Sequence, residues 1–202
     1  MTKLLSNFEV IRWCYEALTE VSLMNTESEK KLKESKEIEK KWGNDVMGTS
    51  ESKQWTTTLC QNIVMEALIK LGRKNVSKTV KMKSSIRDKQ YEPDLECDEY
   101  VYEVKGRSWS TPGTAGEKIL GVPLKYGELP KLYKKPLRVV LVGYQEYEAR
   151  NKYAFGDLLD SGNQTPELKG SLEYFKEHDI EYVGFTDILN EIGYPYGIWN
   201  KN

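Results

Sequence analysis

Residues 137–143, LRVVLVG, constrain the fold of this chain more than any other stretch. Apart from Arg138 the run is aliphatic up to its closing glycine. It is too short for an ordinary helix, and it reads as a strand buried in a sheet. The segments around it supply cover. Residues 57–71 place Leu59, Ile63, Val64, Ala67, Leu68 and Leu71 on one face at helical spacing, and Gly72 stops the helix. Residues 165–177 carry a second helical pattern, IEYVGF (180–185) reads as a strand, and Thr186 is placed to cap a short helix, DILNEIG. Strands alternating with helices predict an α/β fold with one mixed sheet between helices.

Ahead of this lies a region with a different texture. Ser6 and Glu9 form a capping-box pattern, and Val10, Ile11, Trp13, Cys14, Leu18 and Val21 extend a helix to about residue 24. Residues 27–41, ESEKKLKESKEIEKK, offer few apolar positions and read as a solvated helix or a connector. GNDVMGTSESK (43–53) reads as a loop. The expected organisation is a helical N-terminal region over residues 1–55, serving dimerisation or embracing a ligand, followed by the main body over residues 56–202. A chain of 202 residues suits one domain with such an appendage.

Charge and side-chain counts narrow the class. A net charge of -1 excludes a wholly basic nucleic-acid binder but permits separate acidic and basic patches. No apolar run approaches the roughly 18 residues of a membrane span, and Glu9 and Arg12 interrupt the place where a secretory signal would be apolar. No membrane association is expected. Cys14, Cys60 and Cys97 are odd in number, far apart and without metal-site spacing, which fits reduced thiols in a cytoplasmic protein. The single histidine, His178, lies between acidic residues and argues against zinc clusters and histidine-based catalysis.

PDLECDEYVYEVKG (93–106) gathers five carboxylates around Lys105. It reads as two short strands joined by a turn at Asp98-Glu99. Alternation puts Val101, Glu103 and Lys105 on one face of the second strand, and Tyr100, Tyr102 and Val104 on the other. Asp94, after Pro93, lies across the hairpin from the pair. Two carboxylates beside an amine suit a Mg²⁺ site, since that ion takes oxygen ligands and usually only one or two protein carboxylates. The Val104 carbonyl is a further candidate ligand. Lys105 would orient or deprotonate the attacking water, or offset negative charge on a phosphate. An ordinary hairpin with a solvated acidic face is the competing reading, and it leaves the basic flanking segments unexplained.

Pro93-Asp94 followed by Glu103-Val104-Lys105 resembles the motif of the PD-(D/E)xK nucleases, and the order of elements over residues 56–145 resembles their αβββαβ core. The segment from EVKGRSW to VVLVGYQEYE is similar to type II restriction endonuclease-like proteins, including ones encoded by large DNA viruses. The resemblance implies a restriction-endonuclease-like core, a central mixed sheet flanked by helices, with a helical N-terminal extension. It implies a homodimer that cleaves double-stranded DNA at a short specific sequence by Mg²⁺-dependent hydrolysis, with Mn²⁺ able to replace Mg²⁺, inside the cell (the host cell, for a viral protein). Asp94 and Glu103 would hold the metal, and Lys105 would stand at the water. Many relatives carry a further glutamate on the first core helix. The matching position here is Gln61, while Glu66 projects from the opposite side of the apolar stripe. Two alternatives remain: a repair or recombination nuclease acting on junctions, ends or nicks, and a catalytically silent DNA-binding module.

Phosphate contacts account for much of DNA affinity and bases are read by polar side chains. Within the basic, turn-rich residues 106–136 the candidates for DNA binding are Arg107, Ser108, Trp109, Thr111, Thr114, Lys118 and Lys125, with Trp109 equally placed to be a core aromatic. Gln145, after the buried strand, is a candidate for base readout, as are Arg107 and Asn151. The run from 73 to 89 holds seven basic residues and one acid; it would follow a DNA backbone or form a solvated pair of strands.

Overall fold

The computed structural model of the chain describes residues 4–15, 29–48, 55–110, 117–153, 155 and 164–194. It is α/β, built on a five-stranded mixed sheet in the order β1-β4-β5-β6-β7. β1 (Ser77–Lys78), β4 (Leu95–Glu96) and β5 (Val101–Arg107) are antiparallel neighbours. β6 (Leu137–Gly143) and β7 (Ile180–Gly184) then run parallel to β5. A separate hairpin pairs β2 (Met82–Lys83) with β3 (Gln90–Tyr91). LRVVLVG is thus the strand it was expected to be. It is hydrogen-bonded on both sides, and its aliphatic side chains are fully buried.

Helices cover both faces. On one side stand α1 (Phe8–Tyr15), α2 (Glu29–Met47), α3 (Trp55–Lys70) and α8 (Phe185–Glu191). Their apolar residues merge with Leu95, Tyr102, Val104, Val140 and Val142 of the sheet into one core. The other face packs Val101, Val139 and Leu141 against α4 (Val122–Tyr126), α5 (Leu129–Tyr133) and α7 (Pro166–Glu177). α6 (Tyr144–Asn151) leaves β6 without a linker. Among the described residues no helix is long and apolar enough to cross a membrane.

α3 ends as a Schellman motif. Arg73 N–H donates to Leu68 O at 3.0 Å and Gly72 N–H to Ile69 O at 3.0 Å, with Gly72 at φ +85°. Its buried stripe, Leu59, Ile63, Val64, Ala67 and Leu68, is the one read from spacing.

Several local expectations need correction. The first helix is capped by Asn7, whose Oδ1 accepts the Glu9 N–H at 3.0 Å, and Ser6 lies in the preceding 3-10 turn. The α1 continuation to residue 24 and the C-terminal YPYGIWNKN beyond Tyr194 lie outside the described residues. Residues 43–47 are helical: α2 runs through Gly43, where a Cβ would overlap the Trp55 indole. α2 also carries an inward polar face, with Ser35, Glu39 and Asn44 all buried. Glu39 accepts from Trp13 Nε1 at 3.0 Å, Trp109 N at 2.9 Å and Ser110 N at 2.9 Å. The N-terminal helices are therefore built into the core that supports the sheet. Thr186 does not cap α8: the N-cap is Gly184, and the Thr186 hydroxyl donates to Glu146.

Candidate functional site

β4 and β5 form the hairpin expected around Asp98-Glu99. Leu95 pairs with Tyr102 and Glu96 with Val101, and Asp94 N–H donates to Tyr102 O at 3.0 Å. One step beyond the Leu95–Tyr102 pair, Asp94 stands across from Glu103. The carboxylate of Asp94 is held from two directions. Its Oδ1 accepts Gln61 Nε2 of α3 at 2.5 Å, and its Oδ2 accepts the Val104 N–H at 2.6 Å. A strand residue turns its N–H and C=O to the same edge, so the Val104 carbonyl leaves β5 on the side of Asp94.

Gly106 makes this close approach possible. A Cβ there would collide with Cys60 Sγ and come within 2.9 Å of Cys60 Cβ. A glycine there lets α3 lie close to β5, with Gln61 in reach of Asp94. Glu66, the other candidate on α3, faces the N-terminus instead and accepts Leu4 N–H at 2.7 Å and Leu5 N–H at 3.3 Å.

Glu103 is 3% exposed and ion-pairs with Lys105 through one oxygen. Its other oxygen, Oε2, is buried with no hydrogen-bond partner among the described residues, while the Tyr126 hydroxyl hydrogen-bonds the same carboxylate. A buried carboxylate oxygen without a donor is costly, and a cation would satisfy it. Burial first, and the Glu103 charge second, push the Asp94 carboxyl up from 3.8 to about 6, against the pull of the Val104 N–H, Lys105 and Gln61. The Tyr126 hydroxyl borders the pair. Burial and the Glu103 charge raise its pKa, and the Lys105 ammonium is 5.7 Å from its ring. Among the described residues no group of three or more His, Cys, Asp or Glu side chains gathers for a metal. Two carboxylates and a backbone carbonyl could hold an ion that needs few protein ligands and keeps several waters, as Mg²⁺ does. Asp94 and Glu103 would hold it, with Val104 O as the third oxygen.

The remaining carboxylates of the stretch are engaged elsewhere. Glu96 pairs with Lys135 at 2.8 Å, Asp98 accepts from Asn75 at 2.9 Å, and Glu99 pairs with Arg73. Lys135 also donates to the Cys97 carbonyl at 2.7 Å.

The expected DNA contacts divide sharply. Arg107 is 6% exposed and ion-paired to Glu148, and Ser108 and Gln145 are buried too. All three are interior, because β5 continues through Arg107 and α6 begins at Tyr144. Trp109 is half-buried against Tyr144 and Tyr147. Thr111 and Thr114 lie outside the described residues. Lys118 and Lys125 are exposed, and Lys125 Nζ lies 4.5 Å from the Tyr126 ring.

Basic residues of the 73–89 run sit near the carboxylates. Tyr91 of the β2–β3 hairpin packs on Tyr126 with centroids 6.0 Å apart, and Lys89 Nζ is 4.3 Å from the Tyr91 ring. Glu128 anchors that hairpin by accepting Ser84 Oγ at 2.5 Å and Ser85 N at 3.0 Å. The basic composition of residues 73–89 was the available signal; its position beside Tyr126 was not readable locally. Comparison of the chain with protein-family models, curated proteins and solved structures found no match in any of the three.

Proposed function

We propose that this chain is a Mg²⁺-dependent endonuclease of the PD-(D/E)xK type, hydrolysing phosphodiester bonds of double-stranded DNA. The observation that carries the reading is the convergence of Asp94, Glu103 and Lys105 beside β5, with Glu103 Oε2 buried and without a partner among the described residues. The mixed sheet, with an antiparallel hairpin joined to parallel strands, supports a restriction-endonuclease-like core. Mn²⁺ would serve in place of Mg²⁺.

When bound, the metal supplies Lewis-acid neutralisation of the phosphate and a more acidic water. The protein's own groups do the rest. Gln61 and the Val104 N–H fix the Asp94 carboxylate in place. Lys105, drawn back by Glu103, presents an ammonium that offsets charge growing on the phosphate or moves a proton at the water. Tyr126 packs beside Lys105 and limits its rotation. Lys89 and Lys125, against the neighbouring Tyr91 and Tyr126 rings, would follow a phosphate backbone. Cleavage at a short specific sequence by a homodimer is part of this proposal, the second subunit providing the cut on the opposite strand.

A long plasmid, supercoiled and linearised in parallel, incubated with the protein and Mg²⁺ tests the reading. Discrete fragments are expected, and Lys105→Ala should abolish them while retaining DNA binding. A ladder or smear from ends would point to an end-acting repair or recombination nuclease. No turnover with Mg²⁺ or Mn²⁺, with DNA still bound, would leave a silent binding module. Wild-type cutting by the Lys105 variant would overturn the assignment of the site.

A further inference from the structure

Beyond Arg107 the chain turns through Ser108–Ser110, and buried Glu39 clamps that turn through the backbone N–H groups of Trp109 and Ser110. The turn sets the Trp109 ring 4.3 Å from Tyr144 and 4.9 Å from Tyr147, centroid to centroid. Tyr144 and Tyr147 lie within 14° of parallel. The Arg107 guanidinium lies 5.1 Å from the Tyr144 ring and Lys152 Nζ 4.9 Å from it. These contacts make a preformed aromatic platform, with Tyr147 41% exposed at its edge.

A cavity of about 490 Å³ opens beside it, lined by Trp109, Tyr147, Glu146, Arg150, Asn151 and Thr186 among others. That volume falls within the roughly 300–1,000 Å³ typical of small-molecule sites. None of these residues belongs to the Asp94–Glu103–Lys105 site. Glu146 is 3% exposed; its Oε1 accepts from Arg150 Nε at 2.9 Å and Thr186 Oγ at 2.5 Å, and its Oε2 accepts Thr186 N–H at 3.0 Å.

The wall suits a flat ring. Glu146 disfavours an anion and Arg150 a cation, so the best occupant is neutral. An acceptor at Glu146 Oε2 and the Asn151 amide, which gives one N–H to the Tyr147 carbonyl at 2.9 Å and keeps a second N–H and its oxygen, suit a ring whose edge carries both kinds of polar group. A nucleobase meets all of these requirements. We infer that the cavity binds a single nucleobase, stacked on Trp109 and Tyr147 with its edge against Glu146 and Asn151.

Two sources offer such a base: a free nucleotide, or a base swung out of a DNA strand. Trp109 follows Glu103 by six residues, a chain span of at most about 20 Å, so a strand bound at Glu103 and Lys105 would pass within a few nucleotides of the platform. The second source rests on the nuclease reading; the first does not.

Calorimetric titration with the four deoxynucleoside monophosphates, in EDTA, tests the site without reading cleavage. At least one should bind saturably, and Tyr147→Ala should weaken it about tenfold through lost stacking. Glu146→Gln should change which base binds best. Competition by a duplex oligonucleotide would assign the base to DNA, and its absence would assign it to a free nucleotide; either supports the site. No saturable binding of any of the four to the cooperatively folding wild-type protein would overturn it, whatever the cleavage result. Unchanged affinity in Tyr147→Ala would also overturn it.

Discussion

Asp94→Asn separates the cost of the site from its use. The Asp94 carboxyl moves from 3.8 to about 6 on folding, because it is buried beside Glu103. Between these two values the folded chain holds a proton that the unfolded chain has lost. Stability therefore falls as pH rises through this window, the reverse of the common case of a carboxylate stabilised by a partner. Linkage gives a loss of about 1.6 kcal/mol at pH 5 and about 3 kcal/mol at pH 8. Asparagine removes the titration. By reversing its amide it still accepts the Val104 N–H and donates to a flipped Gln61. The stability of Asp94→Asn relative to wild type should thus increase by about 1.4 kcal/mol between pH 5 and pH 8. Urea unfolding in EDTA at the two pH values measures this. With a slope of about 2–3 kcal/mol/M, the separation of midpoints should widen by roughly 0.5–0.7 M. A separation that is constant from pH 5 to pH 8, or that narrows, would refute the argument that burial and Glu103 strain this carboxylate. Mg²⁺ at pH 8 should then raise the wild-type midpoint and leave that of the variant nearly unmoved.

Two further substitutions probe the scaffold. Gly106→Ala should cost about 1–3 kcal/mol by driving β5 against Cys60, and Cys60→Ala in the same chain should recover part of it; a neutral Gly106→Ala by thermal melting would mean α3 is not held so close. Glu39→Ala leaves Trp13 Nε1, Trp109 N and Ser110 N without their acceptor and should destabilise by at least about 3 kcal/mol in chemical unfolding, whereas a loss under about 1 kcal/mol would show that water replaces the carboxylate.

What could be read in advance was whatever rests on local period. The alternation along VYEVK put Glu103 and Lys105 on one face of a strand, and the apolar stripe of α3 and the run LRVVLVG declared themselves by spacing alone. Partnerships across the chain were not legible. Arg107 read as a candidate DNA contact because Glu148, its buried partner, lies 41 residues away. α2 read as solvated because its inward face is polar: a carboxylate serving three donors leaves no hydrophobic period. Thr186 looked like a cap because its sequence context suits one, yet its hydroxyl is spent on Glu146. Gln61 and Glu66 were distinguishable as opposite sides of a helix, but only the packing decides which side meets Asp94.

Trp13, Trp42 and Trp55 come from three helices and meet with centroids 5.8–5.9 Å apart. Indoles this close share their excitations, so the docking of α1, α2 and α3 writes its own optical signature in the near-ultraviolet. A chain that kept its helices but lost this docking would retain its far-ultraviolet dichroism and lose the near-ultraviolet band. The aromatic triad makes the seating of the N-terminal helices observable without any label.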